Sequence, residues 1–414
     1  MHKVACFACC AFGLAASSHA LAAGEKILYR FYGSFPPALS QAPLVSDAAG
    51  NFYGTSWGGG NADYGAVFEI SPPAPGAHRW TEQVLYSFTN QNGDGSRAQS
   101  AVTLDGKGDI FGTTSGGGSY SGGTAWELIP PTGNGTWTEV ILHSFGNGTD
   151  GGSPHGKLLL ASDGTLYGTA FVGGPQYSGT VFKLSNSGGS WTEQPIYQFS
   201  GGADGEFPLS TLVMDGSGNL YGTTIGGGNV GHGVVFELTP TSGNTMWPET
   251  ILHSFDADAD GLQPQTGVVF DRHGNLIGTT ARGGSASYGT VFELAKPAPG
   301  STVWTETILH NFSYQVEGAP TTTLPVFDAK GDIFGTSSGG TDFLGTVWEL
   351  THPTKGGGWN LTILHNFTGT PDGATPNAGL TQLKHNFIGI TQAGGNSIPS
   401  NGGVGQGTIF KITP

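Results

Sequence analysis

The sequence predicts an all-β protein, a seven-bladed β-propeller with four antiparallel strands per blade, and three observations point to it. A Gly-Thr or Gly-Ile step closes a short hydrophobic run at Gly54, Gly112, Gly168, Gly222, Gly278, Gly335 and Gly389, one copy per roughly 56 residues. Each copy contains four short β-type runs separated by turn signals; in the fourth copy they cover 212–215, 219–224, 235–238 and 250–255. The ends of the chain are complementary. Residues 27–31 match the fourth run of the other copies (84–88, 141–145, 196–199, 251–255, 308–312 and 363–367), whereas the chain stops at 408–412, which matches the third run. The last blade is therefore expected to be closed by the N-terminal strand, which removes an open edge that would template aggregation.

A four-stranded unit cannot bury both faces of its sheet alone, so the copies must stack face to face in one closed array. Residues 23–414 are expected to form that array. Residues 1–22 read as a secretory signal peptide, with Lys3, an apolar stretch from Val4 to Ala16, and an A-x-A cleavage site ending at Ala22. All three cysteines lie in that segment, so the exported chain is expected to hold no disulfide and no thiolate metal site. No later apolar run is long enough to span a bilayer. A formal net charge of −15 repels nucleic acid and anionic lipid surfaces rather than attracting them, so no nucleic-acid partner is expected. The expected location is the periplasm or the outside of a bacterium, and the expected state a monomer.

Within each copy, the turn between the first and second runs carries Asp-x-x-Gly-Asn or a close relative, at Asp47, Asp105, Asp215, Asp271 and Asp328. These acids read as hairpin hardware, accepting from turn amides while glycine supplies positive φ. The third run places a ring in every copy: Phe68, Trp126, Phe182, Phe236, Phe292, Trp348 and Phe410. Such rings read as packing between blades, and the adjacent Glu69, Glu127, Glu237, Glu293 and Glu349 as architecture. His143, His253, His310 and His365 occupy one position of the fourth run, alternating with Tyr29, Tyr86 and Tyr197. An outermost strand would spread them around the rim, too far apart to share one ion with Zn–N bonds of about 2 Å.

Function is sought where the copies disagree. The loop between runs two and three and the loop between blades are glycine-rich, variable and expected on one face, beside the central channel. The inter-blade loops carry Asp94, Asp150, Asp204, Asp260, Glu317 and Asp372. The first kind of loop places a ring near its end, at Tyr64, Tyr120, Tyr177, His232, Tyr288 and Phe343; these form either a ligand-binding aromatic collar or pins for the loops. Residues that break the repeat are the weak catalytic candidates: Arg97, His155, Glu206 and Arg282, with Lys157, Asp63 and Asp342 beside them. His155 and Glu206 belong to successive inter-blade loops and suit an acid/base pair. Asp256, Asp258 and Asp260, followed by Gly261, have the spacing of half a calcium loop, but the twelfth position is Gly267, so calcium is the one cofactor suggested and its motif is incomplete.

The string Gly-Asn-Leu-Tyr-Gly-Thr-Thr, glycines, then a Val-Phe-Glu-Leu run resembles the GloVer tandem-repeat family of exported bacterial proteins. The resemblance covers nearly all of residues 23–414 and implies no catalytic residues. Family members often carry a C-terminal sorting segment, whereas this chain ends at Pro414 directly after its last strand. The leading expectation is a secreted, non-enzymatic propeller that binds a ligand or partner, a glycan or a protein, through its loop face. The alternative is a propeller lyase or hydrolase acting on a polysaccharide or cyclic ester.

Overall fold

The computed structural model describes residues 24–32, 40–133, 135–241, 246–320, 324–353, 357–395 and 405–414. The signal-peptide reading of 1–22 lies outside them. Every regular element among the described residues is a strand. The strands form seven antiparallel blade sheets, whose order from inside to outside follows the chain in six and closes on the N-terminal strand in the seventh, and one two-stranded sheet pairs Gly95–Ser96 with Gly116–Gly117. Blade 1 comprises Val45–Ser46, Phe52–Ser56, Ala66–Ser71 and Thr81–Ser87. Blades 2 to 6 repeat that order and end on outer strands Thr138–Ser144, Ser190–Gln198, Glu249–Ser254, Thr305–Asn311 and Asn360–Asn366. Blade 7 takes Leu380–Leu383, Asn386–Ile390 and Thr408–Thr413 from the C-terminus and Gly24–Arg30 from the N-terminus. The closing strand runs antiparallel to Thr408–Thr413, pairing Gly24 with Thr413 and Arg30 with Thr408.

The core lies between blades. Seven hydrophobic clusters occur, each joining two neighbours, and the seventh joins Phe31, Ile388 and Ile409 of blade 7 to Leu44, Phe52 and Phe68 of blade 1. One chain of contacts runs through all of them. The phenylalanine just after each outer strand meets the third-strand ring of the next blade: Phe31 with Phe68 at 5.6 Å, Phe88 with Trp126 at 5.6 Å, Phe145 with Phe182 at 4.8 Å. The pattern continues with Phe199 and Phe236, Phe255 and Phe292, Phe312 and Trp348, and Phe367 and Phe410. Each third-strand ring then lies on the repeat glycine of its own blade. Trp126 is paired with Gly112 in register, and a Cβ built on any of the seven glycines would meet the ring at 2.7 Å or less. The recurrent glycine is the space that the ring fills.

Each outer strand carries a β-bulge opposite the third-strand ring, between residues such as Val67 and Phe68 or Val291 and Phe292. The extra residue re-aims the following His or Tyr. That side chain turns to an acid of the loop that follows, to a glutamate on the next outer strand, or to both. Tyr86 Oη donates to Glu139 at 2.8 Å, Tyr197 Oη to Glu249 at 2.8 Å and to Asp204 at 3.2 Å, and His143 bonds Asp150 at 2.8 Å. The hairpin acids behave as expected: Asp47, Asp215 and Asp271 accept from the amides of Asn51, Asn219 and Asn275 at 2.8–2.9 Å.

The rim glutamates make stability depend on pH. Burial pushes Glu139 up to about 7, and pushes Glu193 and Glu249 up to about 8, with the Asp94, Asp150 and Asp204 carboxylates raising them further. The folded chain therefore holds protons that the unfolded chain has released, and this stabilisation is lost as pH rises through 7 to 8. His155, which burial holds down to about 4, opposes the trend only below its unfolded value of about 6.5. Between about pH 6.5 and 8.5 stability should fall by on the order of 1 kcal/mol per glutamate, lowering the melting temperature by several degrees. A melting temperature that is flat or rising across that window would contradict this.

Candidate functional site

The two kinds of variable loop interlock on one face. The amide of Arg97 donates to Tyr64 O at 2.8 Å, that of Phe207 to Ser178 O at 2.8 Å, that of Gln263 to His232 O at 2.9 Å and that of Thr375 to Leu344 O at 2.7 Å. The donors hold positive φ without being glycine (Arg97 62°, Phe207 60°, Gln263 59°, Thr375 59°), as do Asp63, Tyr177 and Phe343 at the loop tips. Left-handed backbone costs about 1–3 kcal/mol at such residues and gathers where function demands it. Here it gathers on the loop face.

That face is also where the rings stand in solvent. Tyr177 is 77% exposed, and Tyr64, Tyr120, Tyr288 and Phe343 are exposed as well. Tyr288 stacks on Tyr314 at 5.0 Å with planes 22° apart, and Tyr314 meets Phe343 at 5.9 Å, giving a line of three rings across blades 5 and 6. Arg97 lies 5.1 Å over the Trp57 ring, a cation–π contact. His232 is half-buried and its Nδ1 has no hydrogen-bond partner.

The channel is a cavity of about 420 Å³ to which all seven blades contribute, with Gln41, Gln99, Gln265 and Gln382 among its lining. Its two basic groups are His155 and Lys157, and no Asp or Glu among the described residues lines it. Burial lowers both basic groups. The His155 ring is pinned by Gln99 at 2.8 Å on Nδ1 and Ser153 at 3.0 Å on Nε2, and packs against Phe171. With its value at about 4 it is neutral at pH 7. No hydrogen bond among the described residues joins it to Glu206, whose backbone instead pairs with Gly226 in a bridge between the two loop types. Arg282 pairs with Leu262 in the same way and lines a shallow depression with Asp258 and Tyr288. Asp63 accepts from Gly59 N at 2.8 Å.

The three acids of the calcium-like spacing make separate contacts. Asp256 accepts from Asn229 at 3.0 Å and Ser254 at 2.8 Å, Asp260 accepts from the amides of Asp256 and Ala257 at 3.1 Å each, and Asp258 is exposed. The inter-blade acids likewise brace their own loops, as Asp94 does by accepting from Thr89 N at 2.6 Å. Sequence reasoning missed Tyr314 and the rim glutamates Glu82, Glu139, Glu193, Glu249 and Glu306. The glutamates were signalled by the glutamate that recurs four residues before every rim Tyr or His except His365.

The fold and this face define a seven-bladed β-propeller with a polar channel and an aromatic, loop-built surface. The profile of the Gloeobacter/Verrucomicrobia repeat family matches residues 100–324, more than half of the sequence, and the chain belongs to that family. No curated protein matches it. Among solved structures it is similar to a fungal alcohol oxidase of the AA5 family in complex with copper (TM-score 0.53, 15% identity, covering 95% of this chain and 77% of the oxidase). It is also similar to the polysaccharide lyase Uly1 (TM-score 0.52, 10% identity, covering 96% of this chain and 94% of the lyase). Identities this low speak for a shared fold alone.

Proposed function

We propose that the protein is exported and acts as a non-catalytic propeller that binds a glycan through its loop face. The observation that carries this reading is the line formed by the exposed Tyr288 and Phe343 and the half-buried Tyr314 that joins them. Rings in that setting offer apolar faces to the C–H surfaces of a sugar, while the tyrosine hydroxyls and nearby loop amides satisfy its hydroxyls. Solvated apolar surface of this kind is uncommon without a partner to cover it. A glycan-array screen of residues 24–414, run with and without calcium, tests it. Binding to a defined set of sugars is expected; an array without a binder would overturn it.

The alternative is a lyase or hydrolase acting on a polysaccharide or cyclic ester, and the pairing of His155 with Lys157 in a carboxylate-free channel favours it. His155 would first have to leave Gln99 or Ser153 before moving a proton. Turnover of any such substrate by the purified chain, abolished in His155→Ala, would replace the binding reading with this one.

A further inference from the structure

We propose that His253, Asp260 and Glu306 form a binding site for a divalent transition-metal cation of the Zn²⁺ class, clipping blade 4 to blade 5 at the outer rim. His253 belongs to the outer strand of blade 4, Asp260 to the loop that leaves it, and Glu306 to the outer strand of blade 5. Nε2 of His253 lies 3.7 Å from Asp260 Oδ2 and 3.6 Å from Glu306 Oε1, and the three donor atoms all lie within 4.8 Å of one another. Ligands placed tetrahedrally about 2.0–2.1 Å from one zinc ion stand about 3.3–3.5 Å apart, so the two distances to His253 need to shorten by a few tenths of an ångström and the two carboxylates by no more than about 1.5 Å.

The second observation is what these atoms lack. His253 Nε2 and Glu306 Oε1 are buried without a hydrogen-bond partner, a costly state for two polar groups that face each other at 3.6 Å. At the other rim histidines the ring nitrogen is satisfied, although Glu25, Glu139, Glu193 and Glu249 each keep an Oε1 without a partner, as Glu306 does. His143, His310 and His365 bond their own loop acids at 2.8, 3.3 and 3.0 Å, and Tyr29, Tyr86 and Tyr197 donate to the neighbouring glutamates at 2.8 Å. Blade 6 carries Leu361 where blade 5 has Glu306. Among the described residues, this is the junction where a histidine and two carboxylates bring three donor atoms within 4.8 Å of one another while the histidine's Nε2 has no hydrogen-bond partner.

The donor set decides the metal. An imidazole nitrogen with two carboxylates suits zinc and its neighbours in the transition series, whereas calcium takes six to eight oxygens. Three protein ligands leave a fourth position for water, and the side chains of His253, Asp260 and Glu306 are 20%, 19% and 14% exposed at the rim. Asp256, held by Asn229 and Ser254 beside the site, adds negative potential without entering it.

The test is calorimetric titration of ZnCl₂ into chelator-treated protein at neutral pH, with Co²⁺ substitution read by visible absorption as a second measurement. The wild type should bind a single zinc, give the strong visible band of low-coordinate cobalt and melt at a higher temperature with metal present. Affinity should fall on the order of a hundredfold in both His253→Ala and Glu306→Gln and stay unchanged in His143→Ala. Glu306→Gln preserves volume, so its loss of binding reports the ligand rather than the fold. No saturable zinc uptake by the wild type, uptake undiminished in both variants, or an equal loss in His143→Ala would each overturn the site.

Discussion

Replacing Gly112 with alanine is expected to cost about 2–4 kcal/mol of folding stability, read as a lower midpoint in thermal or denaturant unfolding. The added methyl group would enter the Trp126 ring, which is fully buried and held from its other side by Phe88 at 5.6 Å. Neither ring can retreat, because Phe88 is itself buried at the junction of blades 1 and 2 with Val102 and Leu128. Overpacking in a site bounded on all sides must move backbone. Gly106 supplies the control: a Cβ there meets nothing within 4 Å, so Gly106→Ala should change stability by less than about 0.5 kcal/mol. Equal midpoints for the two variants would show that the repeat glycine is not reserved for the ring.

Deleting residues 24–31 should have a larger effect still. It removes the outer strand of blade 7, leaves Thr408–Thr413 as an unpaired edge and takes Phe31 away from Phe68. Phe31→Ala alone should cost about 3–5 kcal/mol, as for other buried phenylalanines. The deletion adds an open strand edge, so the shortened chain should associate or fail to reach a cooperative fold. Supplying residues 24–32 as a separate peptide should restore monomeric, cooperative melting by strand addition. A deletion variant that melts like the full chain and stays monomeric would refute closure by this strand.

Much of this architecture could be read from the chain because its determinants lie in local strings that recur. Gly112, Trp126 and Phe145 each occupy a fixed place in their copy, and comparing copies exposed the spare strand at 27–31. The rim network escaped for a physical reason. Tyr86 and Glu139 stand 53 residues apart, in two blades, and meet only because a β-bulge turns each rim side chain toward its neighbour. A bulge leaves no separate mark in an apolar run. The same holds for the line of rings: Tyr288 and Phe343 were visible as rings that recur from loop to loop, but Tyr314, which joins them, lies in an inter-blade loop where the other copies carry Gly, Asn or Ala, and no recurrence marks it. The histidines placed on the rim were read as unable to share an ion, and they do stand in separate junctions. The chemistry at His253 comes from acids around one of them.

The claim that the loop face binds sugar is tested most directly by comparing, on one glycan array, the wild type with a Tyr288→Ala, Tyr314→Ala, Phe343→Ala variant. These rings are exposed or half-buried on the loop face, away from the seven inter-blade clusters, so the variant should fold and melt close to the wild type. Losing three stacking faces should weaken binding by at least about tenfold, since stacked aromatic contacts contribute about 0.5–1.5 kcal/mol each. Binding to a defined set of glycans by the wild type, lost in the variant, is the predicted result. A wild type that binds nothing, or a variant that binds as the wild type does, would contradict it.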